Sequence, residues 1–310
     1  ASVKIIARLG APDDDFIHHQ LAIAQFGLHR NWSKDAAAQT ETLRKGLDLG
    51  DRKDFSHLPL VTVDANTTRD MDDAIYVTQQ ESGWQLWVAI ADPGHFVAPG
   101  SPIAKAARSF GQSVYLPGKA LPMLPENLAT ETFSLVPNQE RPALLVSITI
   151  SSDGALRDYQ FEYGRIRSRE KLSYQDVGAF LSGDSAVLAN LAPELQESLR
   201  QASALAKTRL TYRQQNHLVY EEQPDYDLIV NKHGLLESVQ KRERNDAHRL
   251  VEEAMLCANI CAGEFLAQHQ TGVFTAHLGF RPERLGEVRA LLREELGDDF
   301  DSSAINALPG

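Results

Sequence analysis

Short runs of apolar and β-branched residues in the first half of the chain predict a β-sheet. Leu60-Val61-Thr62-Val63 is typical of a buried strand. The same pattern predicts further strands at Ala74–Thr78, Trp84–Ala91, Ala143–Ser151 and Leu156–Ser168, and a short one at Ser2–Arg8. Glu81-Ser82-Gly83 and Ser152-Asp153-Gly154 have the composition of turns between them.

Apolar residues spaced three and four apart predict helices, mainly in the second half. The clearest is Asp246–His269, and a helix beginning near Ser101-Pro102 has Ser as its N-cap and Pro in its first turn. The other predicted helices are Asp14–Phe26, Tyr174–Leu181, Glu194–Gln214 and Leu285–Leu296, and the prolines of 117–125 indicate an irregular loop. This mixture predicts an α+β fold, a mixed β-sheet with helices packed around it, with one principal domain.

Composition excludes several classes of protein. The 310 residues are 43% hydrophobic and 24% charged, which is ordinary for a globular chain, and no run of about 18 apolar residues predicts a membrane span. The two cysteines make no disulfide framework, so a reducing, cytoplasmic location is expected. The net charge of −11 argues against nucleic-acid binding, unless the acids are concentrated in one place.

Three short blocks, residues 60–90, 221–240 and 261–310, supply the excess of acids, and the first of them follows the first strong strand. Asp64, Asp70, Asp72 and Asp73 lie within ten residues and would repel one another unless a cation neutralised them. Mg²⁺ prefers such oxygen ligands, and it supports phosphoryl transfer. A solvated acidic loop is the alternative. An EF-hand is excluded because its sixth and twelfth positions, counted from Asp64, hold Arg69 and Ile75.

Several motifs in order resemble the catalytic (RNB) domain of the exoribonuclease II and ribonuclease R family, most closely its bacterial exoribonuclease II members. Asp64 to Ala74, preceded by Val61-Thr62-Val63, resembles the family's acidic signature. The other matching segments are Val88–Pro93, Tyr115–Gly118, Pro122–Pro125, Lys171–Tyr174, Pro224–Tyr226 and Arg249–Cys261. The resemblance covers roughly residues 50–290.

The resemblance implies a Mg²⁺-dependent enzyme that degrades single-stranded RNA processively from its 3′ end and releases nucleoside 5′-monophosphates. By motif, the four aspartates would hold the metal, with Asp70 and Asp72 catalytic and Asp72 the most needed for chemistry. The resemblance assigns RNA contacts to four further residues. Tyr115 and Tyr220 would stack on bases, while Tyr174 and Glu252 would help to select ribose.

The chain also departs from the family pattern. Residues 1–50 are expected to be a lead-in or the tail of a cold-shock/OB-type barrel, and 51–310 the N-terminal part of an RNB catalytic domain. A later segment that supplies an Arg and a Glu to the family's active site is missing, so the fold is expected to be incomplete at its C-terminal end. We therefore expect weak activity or none from this chain alone, and a monomer when complete, with no obligate protein partner.

Other interpretations remain open. The domain could be a catalytically inactive relative that binds RNA or a protein, or a Mg²⁺-dependent hydrolase of small phosphoesters. Single tyrosines are more often structural than ligand-binding, and Glu252 could simply pair with Arg249. Cys257 and Cys261, four residues apart on one helix, are expected to be small core residues.

Overall fold

The computed structural model describes residues 4–28, 30–46, 48–216, 224–275 and 281–297. The chain divides into two units, and a mixed β-sheet lies in the larger one. The larger unit comprises residues 1–258 and the smaller one residues 259–310. The strands are β1 (Lys53–Asp54), β2 (Val61–Asp64), β3 (Asp73–Gln80), β4 (Gly83–Ala91), β5 (Val114–Leu116), β6 (Lys119–Leu121), β7 (Glu140–Ser151), β8 (Leu156–Arg167), β9 (Glu170–Ser173), β10 (Asp225–Val230) and β11 (Leu236–Arg242). The helices are α1 (Ile17–Phe26), α2 (Lys34–Arg44), α3 (Pro102–Phe110), α4 (Tyr174–Leu181), α5 (Pro193–Asn216), α6 (Asp246–Gln268) and α7 (Leu285–Leu296).

Seven of the described strands form the main sheet, in the order β1-β8-β7-β4-β3-β2-β9. The outermost pairs, β1 with β8 and β2 with β9, are parallel, and the inner pairs are antiparallel. Two separate hairpins, β5–β6 and β10–β11, accompany this sheet. The predicted α+β fold with a mixed sheet is therefore confirmed.

The central strands β4 and β7 bury residues on both faces of the sheet. Leu86 on β4 and Leu145 and Ile148 on β7 are fully buried. Helix α5 lies against β3, where the Ser198 hydroxyl accepts a hydrogen bond from the backbone N–H of Val77 at 3.0 Å. Because a buried N–H without a partner is costly, this bond fixes the helix to the sheet as well as burying its apolar face.

The helix ends follow their capping residues. Ser33, Ser101 and Ser173 cap α2, α3 and α4, each accepting a hydrogen bond from a backbone N–H three residues on. Helices α4 and α7 have the predicted bounds, and α1, α5 and α6 differ from them by at most three residues at an end.

Some sequence predictions were wrong. Residues 4–8 of the predicted strand Ser2–Arg8 have no regular structure, and Ile5 and Ile6 are exposed, because β-branched residues form a strand only when a neighbouring strand pairs with them. The loop predicted at 117–125 contains part of the β5–β6 hairpin. Helix α2, strand β9 and the β10–β11 hairpin were not predicted.

The smaller unit contains the end of α6, from Asn259, and helix α7. Cys257 and Cys261 on α6 are both buried, as expected for core residues. Of the helices that the structure describes, none has the length and apolar character needed to cross a membrane.

Candidate active site

The four aspartates lie at one end of the main sheet. Asp64 is the last residue of β2 and Asp73 is the first residue of β3, and these two strands are antiparallel neighbours. Asp70 and Asp72 lie in the connection between them, and the Asp72 carbonyl accepts a hydrogen bond from the N–H of Ala91, the last residue of β4, at 2.8 Å. The fold therefore brings the residues at both ends of this connection to the same end of the sheet.

Two side chains from outside the connection hold it in place. The buried Ser134 hydroxyl donates to the Arg69 carbonyl and accepts from the Met71 N–H, both at 2.9 Å. On the other side, the Lys171 ammonium donates to the carbonyls of Asn66 and Thr68. The acidic connection is thus fixed by specific bonds, unlike a freely solvated loop.

The carboxylates interact electrostatically. Burial is the main cause that raises the pKa of Asp64 and of Asp73 to about 6. Charge repulsion adds to this, from Asp72 and Asp70 at Asp64 and from Asp64 and Asp72 at Asp73, while the Lys171 charge partly offsets it at Asp64. The pKa of Asp72 is raised by burial and by Asp70. One charged lysine does not neutralise four carboxylates, so the site favours a further cation.

The donor chemistry suits Mg²⁺, since all four side chains offer carboxylate oxygens. Within the described ranges, however, no three His, Cys, Asp or Glu side chains are arranged closely enough to hold a metal ion. The predicted metal ligands are therefore neighbours that repel one another, rather than a finished coordination shell.

Tyr115 faces one half of the acidic cluster. It lies on β5, 72% exposed, at the side of an open cleft of about 570 Å³. The cleft is also lined by Arg69, Asp70, Asp72, Lys119, Met123 and Phe133. Partial burial raises the pKa of Tyr115, and the charges of Asp70 and Asp72 raise it further, so the phenol lies near both carboxylates.

Tyr174 faces the other half. It is the first residue of α4 and follows Ser173, which pairs with Asp64 between β9 and β2. Burial raises the pKa of Tyr174, followed by the charges of Asp64 and Asp73. Its ring stacks on the imidazole of His248 on α6, with 4.0 Å between ring centroids.

Of the two remaining residues predicted to contact RNA, Glu252 lies within the described residues and Tyr220 does not. Glu252 lies one turn beyond His248 on α6, and its carboxylate forms an ion pair with Arg244. Arg244 also acts on Tyr174, since its charge lowers the pKa of that phenol. The structure thus links Glu252 to the Tyr174 side of the cluster. Tyr220 lies outside the described residues.

Sequence reasoning missed Ser134, His248 and Arg244. None of them belongs to a motif whose residue spacing indicates a chemical role. Each of them contacts a partner that is distant in sequence or across a loop. Lys171 was noted only as part of a matching segment. It lies on β9 two residues before Ser173, which pairs with Asp64, and because β9 was not predicted, no sequence signal indicated its contact with the acidic connection.

The family model of the RNB domain matches residues 52–308. The chain belongs to the RNB-domain family. Its described residues contain the acidic sheet edge and both flanking tyrosines within that range, so the family resemblance carried by the sequence motifs is confirmed.

Curated and solved relatives agree with this family. Exoribonuclease 2 of Vibrio vulnificus (strain YJ016) is 34% identical over 311 residues, covering 99% of this chain and 46% of the relative. The apo form of RNase R from Mycoplasma genitalium superposes with a TM-score of 0.86 at 26% identity, over 95% of this chain and 47% of that one. The same RNase R in complex with ribose-methylated single-stranded RNA gives 0.85 at 25% identity, over 96% of this chain and 48% of that one. The chain spans about half the length of these relatives.

Proposed function

We propose that this RNB domain carries the catalytic centre of a Mg²⁺-dependent, processive 3′-to-5′ exoribonuclease. Its substrate would be single-stranded RNA and its products nucleoside 5′-monophosphates. The observation that carries the proposal is the arrangement of the acidic cluster between two tyrosines, Tyr115 beside Asp70 and Asp72 and Tyr174 beside Asp64 and Asp73. Phosphate chemistry needs the carboxylates, and a single strand of any sequence can be held by aromatic stacking.

Each residue has a role in the proposal. Tyr115 stacks on a base near the 3′ end and so holds the terminal nucleotides over Asp70 and Asp72, and Tyr220 offers a second stacking ring. Tyr174 and Glu252 contact the 2′-hydroxyl, since a phenol and a carboxylate can both hydrogen-bond to it. Stacking contributes about 1–3 kcal/mol per base without reading sequence, which suits an enzyme that must move along RNA.

The four aspartates would hold Mg²⁺, with Asp72 the most critical for catalysis. Bound there, the ion would offset the phosphate charge and lower the pKa of a water molecule. Ser134 and Lys171 keep the connection between β2 and β3 in place, so that the carboxylates are held ready to share a cation.

The proposal concerns the whole protein, and this chain would supply residues 51–310 as the N-terminal part of the catalytic domain, with 1–50 as its lead-in. We further propose that the protein acts as a cytoplasmic monomer in RNA degradation, including mRNA decay.

The test is degradation of 5′-labelled single-stranded RNA with and without Mg²⁺, comparing the wild-type chain with Asp72→Asn at high protein concentration. We expect slow, Mg²⁺-dependent shortening from the 3′ end. Asp72→Asn should reduce it by roughly 100-fold or more, the scale seen when one charge-stabilising group is removed from an active site. RNA affinity should stay nearly unchanged. If Asp72→Asn abolishes RNA binding to the same extent as cleavage, Asp72 is structural and the assignment is wrong.

A second candidate is a catalytically inactive relative that binds RNA or a protein. It differs from the first candidate only in whether the acidic cluster cleaves the RNA that the domain binds. This candidate predicts RNA binding with no Mg²⁺-dependent shortening even by the whole protein, because weak activity or none is expected from this chain alone in either case. A series of RNA lengths tests the alternative of a small-phosphoester hydrolase. The cleavage rate of such an enzyme would not depend on RNA length, so a rate that does depend on it would exclude this alternative.

A further inference from the structure

The hairpin that carries Tyr115 is too short to fix its own position. Strands β5 and β6 have three residues each, and in the described structure they pair only with one another, with Tyr115 opposite Ala120. Isolated two-stranded hairpins are marginally stable in water. The Tyr115 side chain is 72% exposed, so its direction depends on how the hairpin backbone is held.

A histidine from α1 contacts the turn of this hairpin. The Nε2 atom of His19 lies 2.7 Å from the carbonyl oxygen of Pro117, two residues after Tyr115. A carbonyl can only accept, so Nε2 carries the proton and donates it. His19 is only 5% exposed, in contrast to its exposed neighbour His18. The bond is therefore shielded from competing water.

Apolar residues around the His19 contact also hold the same turn. Leu116 and Pro117 line an apolar cleft of about 280 Å³ together with His18, His19 and Ala22 of α1 and residues of the β10–β11 hairpin. Gly118 has φ +70°, and a Cβ there would lie 2.6 Å from Cγ2 of Val230, so the turn approaches β10 very closely. The Phe16 N–H donates to the His233 carbonyl at 2.9 Å, which joins the start of α1 to the turn of that hairpin.

We infer that His19 is a positioning residue that fixes the β5–β6 hairpin so that Tyr115 faces the acidic cleft. It lies outside residues 52–308, the range that matches the RNB domain, so the lead-in helix helps to shape the site of the domain that follows. The consequence for RNA rests on the proposed function, whereas the contact with the hairpin does not.

Hydrogen exchange tests the contact without RNA. His19→Leu places an apolar side chain there and removes the donor, His19→Gln keeps a donor, and Gln20→Leu, at the next and exposed position of α1, is the control. We expect amide exchange across 114–121 to become roughly five- to tenfold faster in His19→Leu, because a buried acceptor loses its partner. His19→Gln and Gln20→Leu should resemble the wild type. Unchanged exchange in His19→Leu overturns the inference.

A double-mutant cycle tests the consequence for RNA, using single-stranded RNA with a 3′-terminal 2-aminopurine in EDTA. His19→Leu should weaken binding roughly fivefold, a fraction of the value of one stacked base, and should add nothing in the Tyr115→Ala background. An equal loss in both backgrounds would mean that His19 does not act through Tyr115, and the inference would be wrong. If the wild-type chain binds no RNA, the proposed function fails, and hydrogen exchange alone decides the role of His19.

Discussion

The ring of Tyr174 lies face to face with the imidazole of His248, with 4.0 Å between the ring centroids and 14° between the ring planes. A second bond reinforces this contact, because the side-chain amide of Asn245 donates to the Tyr174 carbonyl at 2.8 Å. The start of α4 is thereby joined to the start of α6, which also carries Glu252. The two residues proposed to recognise ribose are thus held by a common support.

Loss of the stacked imidazole should weaken the preference for RNA over DNA. We expect His248→Ala to reduce the ratio of RNA to DNA affinity roughly fivefold, because an aromatic pair contributes about 0.5–1.5 kcal/mol beyond its buried area. His248→Phe retains a ring and should keep most of the preference. Equilibrium binding of RNA and DNA of one sequence, measured in EDTA, checks this, with His269→Ala as the control. Equal weakening of both ligands would contradict a role in ribose selection.

His248 should also make stability depend on pH. Burial lowers its pKa from the ordinary 6.5, and the charges of Arg244 and Arg242 lower it further. Below pH 6.5 the unfolded chain therefore takes up a proton that the folded chain does not, so the free energy of unfolding falls as the pH falls through this range. Urea unfolding at pH 7.5 and 5.5 should show a smaller fall for His248→Phe than for the wild type. An identical pH dependence in the two proteins would show that His248 is not responsible.

Mg²⁺ should stabilise the folded chain through the acidic cluster. A ligand that binds only the folded state at ten times its dissociation constant stabilises it by about 1.4 kcal/mol. The melting temperature should rise with Mg²⁺, return to its starting value with EDTA, and respond little in Asp64→Asn. Asp13→Asn, in an exposed acidic run elsewhere, should behave as the wild type. If Asp64→Asn responds fully, the ion acts elsewhere.

Local sequence patterns predicted the elements whose character is set by near neighbours. Strands β3 and β4 are rich in β-branched, apolar and aromatic residues on either side of a turn, and α4 has apolar residues three and four apart, so their positions could be predicted from consecutive residues. Helix α2 was missed because only Ala36 and Thr40 of its residues are buried, which leaves no apolar periodicity. Strand β9 has four residues and exists because it pairs with β2, a partner distant in sequence.

The candidate site was predictable to a similar degree. Four aspartates in one segment can be recognised as a cation site, and the family motifs identified Tyr115 and Tyr174. The supports of these residues could not be recognised, since the His248 contact joins two helices that are far apart in the chain. The ion pair of Glu252 with Arg244 spans eight residues and begins before α6, so helical spacing does not predict it.

Ser134 should stabilise both the fold and the acidic connection. Ser134→Ala leaves the buried Met71 N–H and the part-buried Arg69 carbonyl without their partner, which should cost about 1–3 kcal/mol of unfolding free energy. Ser109→Ala removes an exposed hydroxyl and should have little effect. Urea unfolding measures the difference, and the Mg²⁺ concentration needed for half-maximal stabilisation should rise in Ser134→Ala only. If Ser134→Ala is about as stable as the wild type, the connection between β2 and β3 does not depend on the Ser134 hydroxyl.

Breaking the ion pair between Arg213 on α5 and Glu253 on α6 should lower the free energy of unfolding more than breaking most other ion pairs of the larger unit. Glu253 is only 5% exposed, and burial raises its pKa despite the opposing charge of Arg213. Arg213→Met removes the positive charge beside the buried Glu253 carboxylate and should destabilise the chain by about 3 kcal/mol. Replacing both Arg213 and Glu253 by methionine should recover much of that loss. Arg284→Met breaks an exposed pair and should cost less than about 1 kcal/mol. Urea unfolding distinguishes these cases. If the double variant is no more stable than Arg213→Met, the loss comes from packing of the arginine rather than from an uncompensated charge.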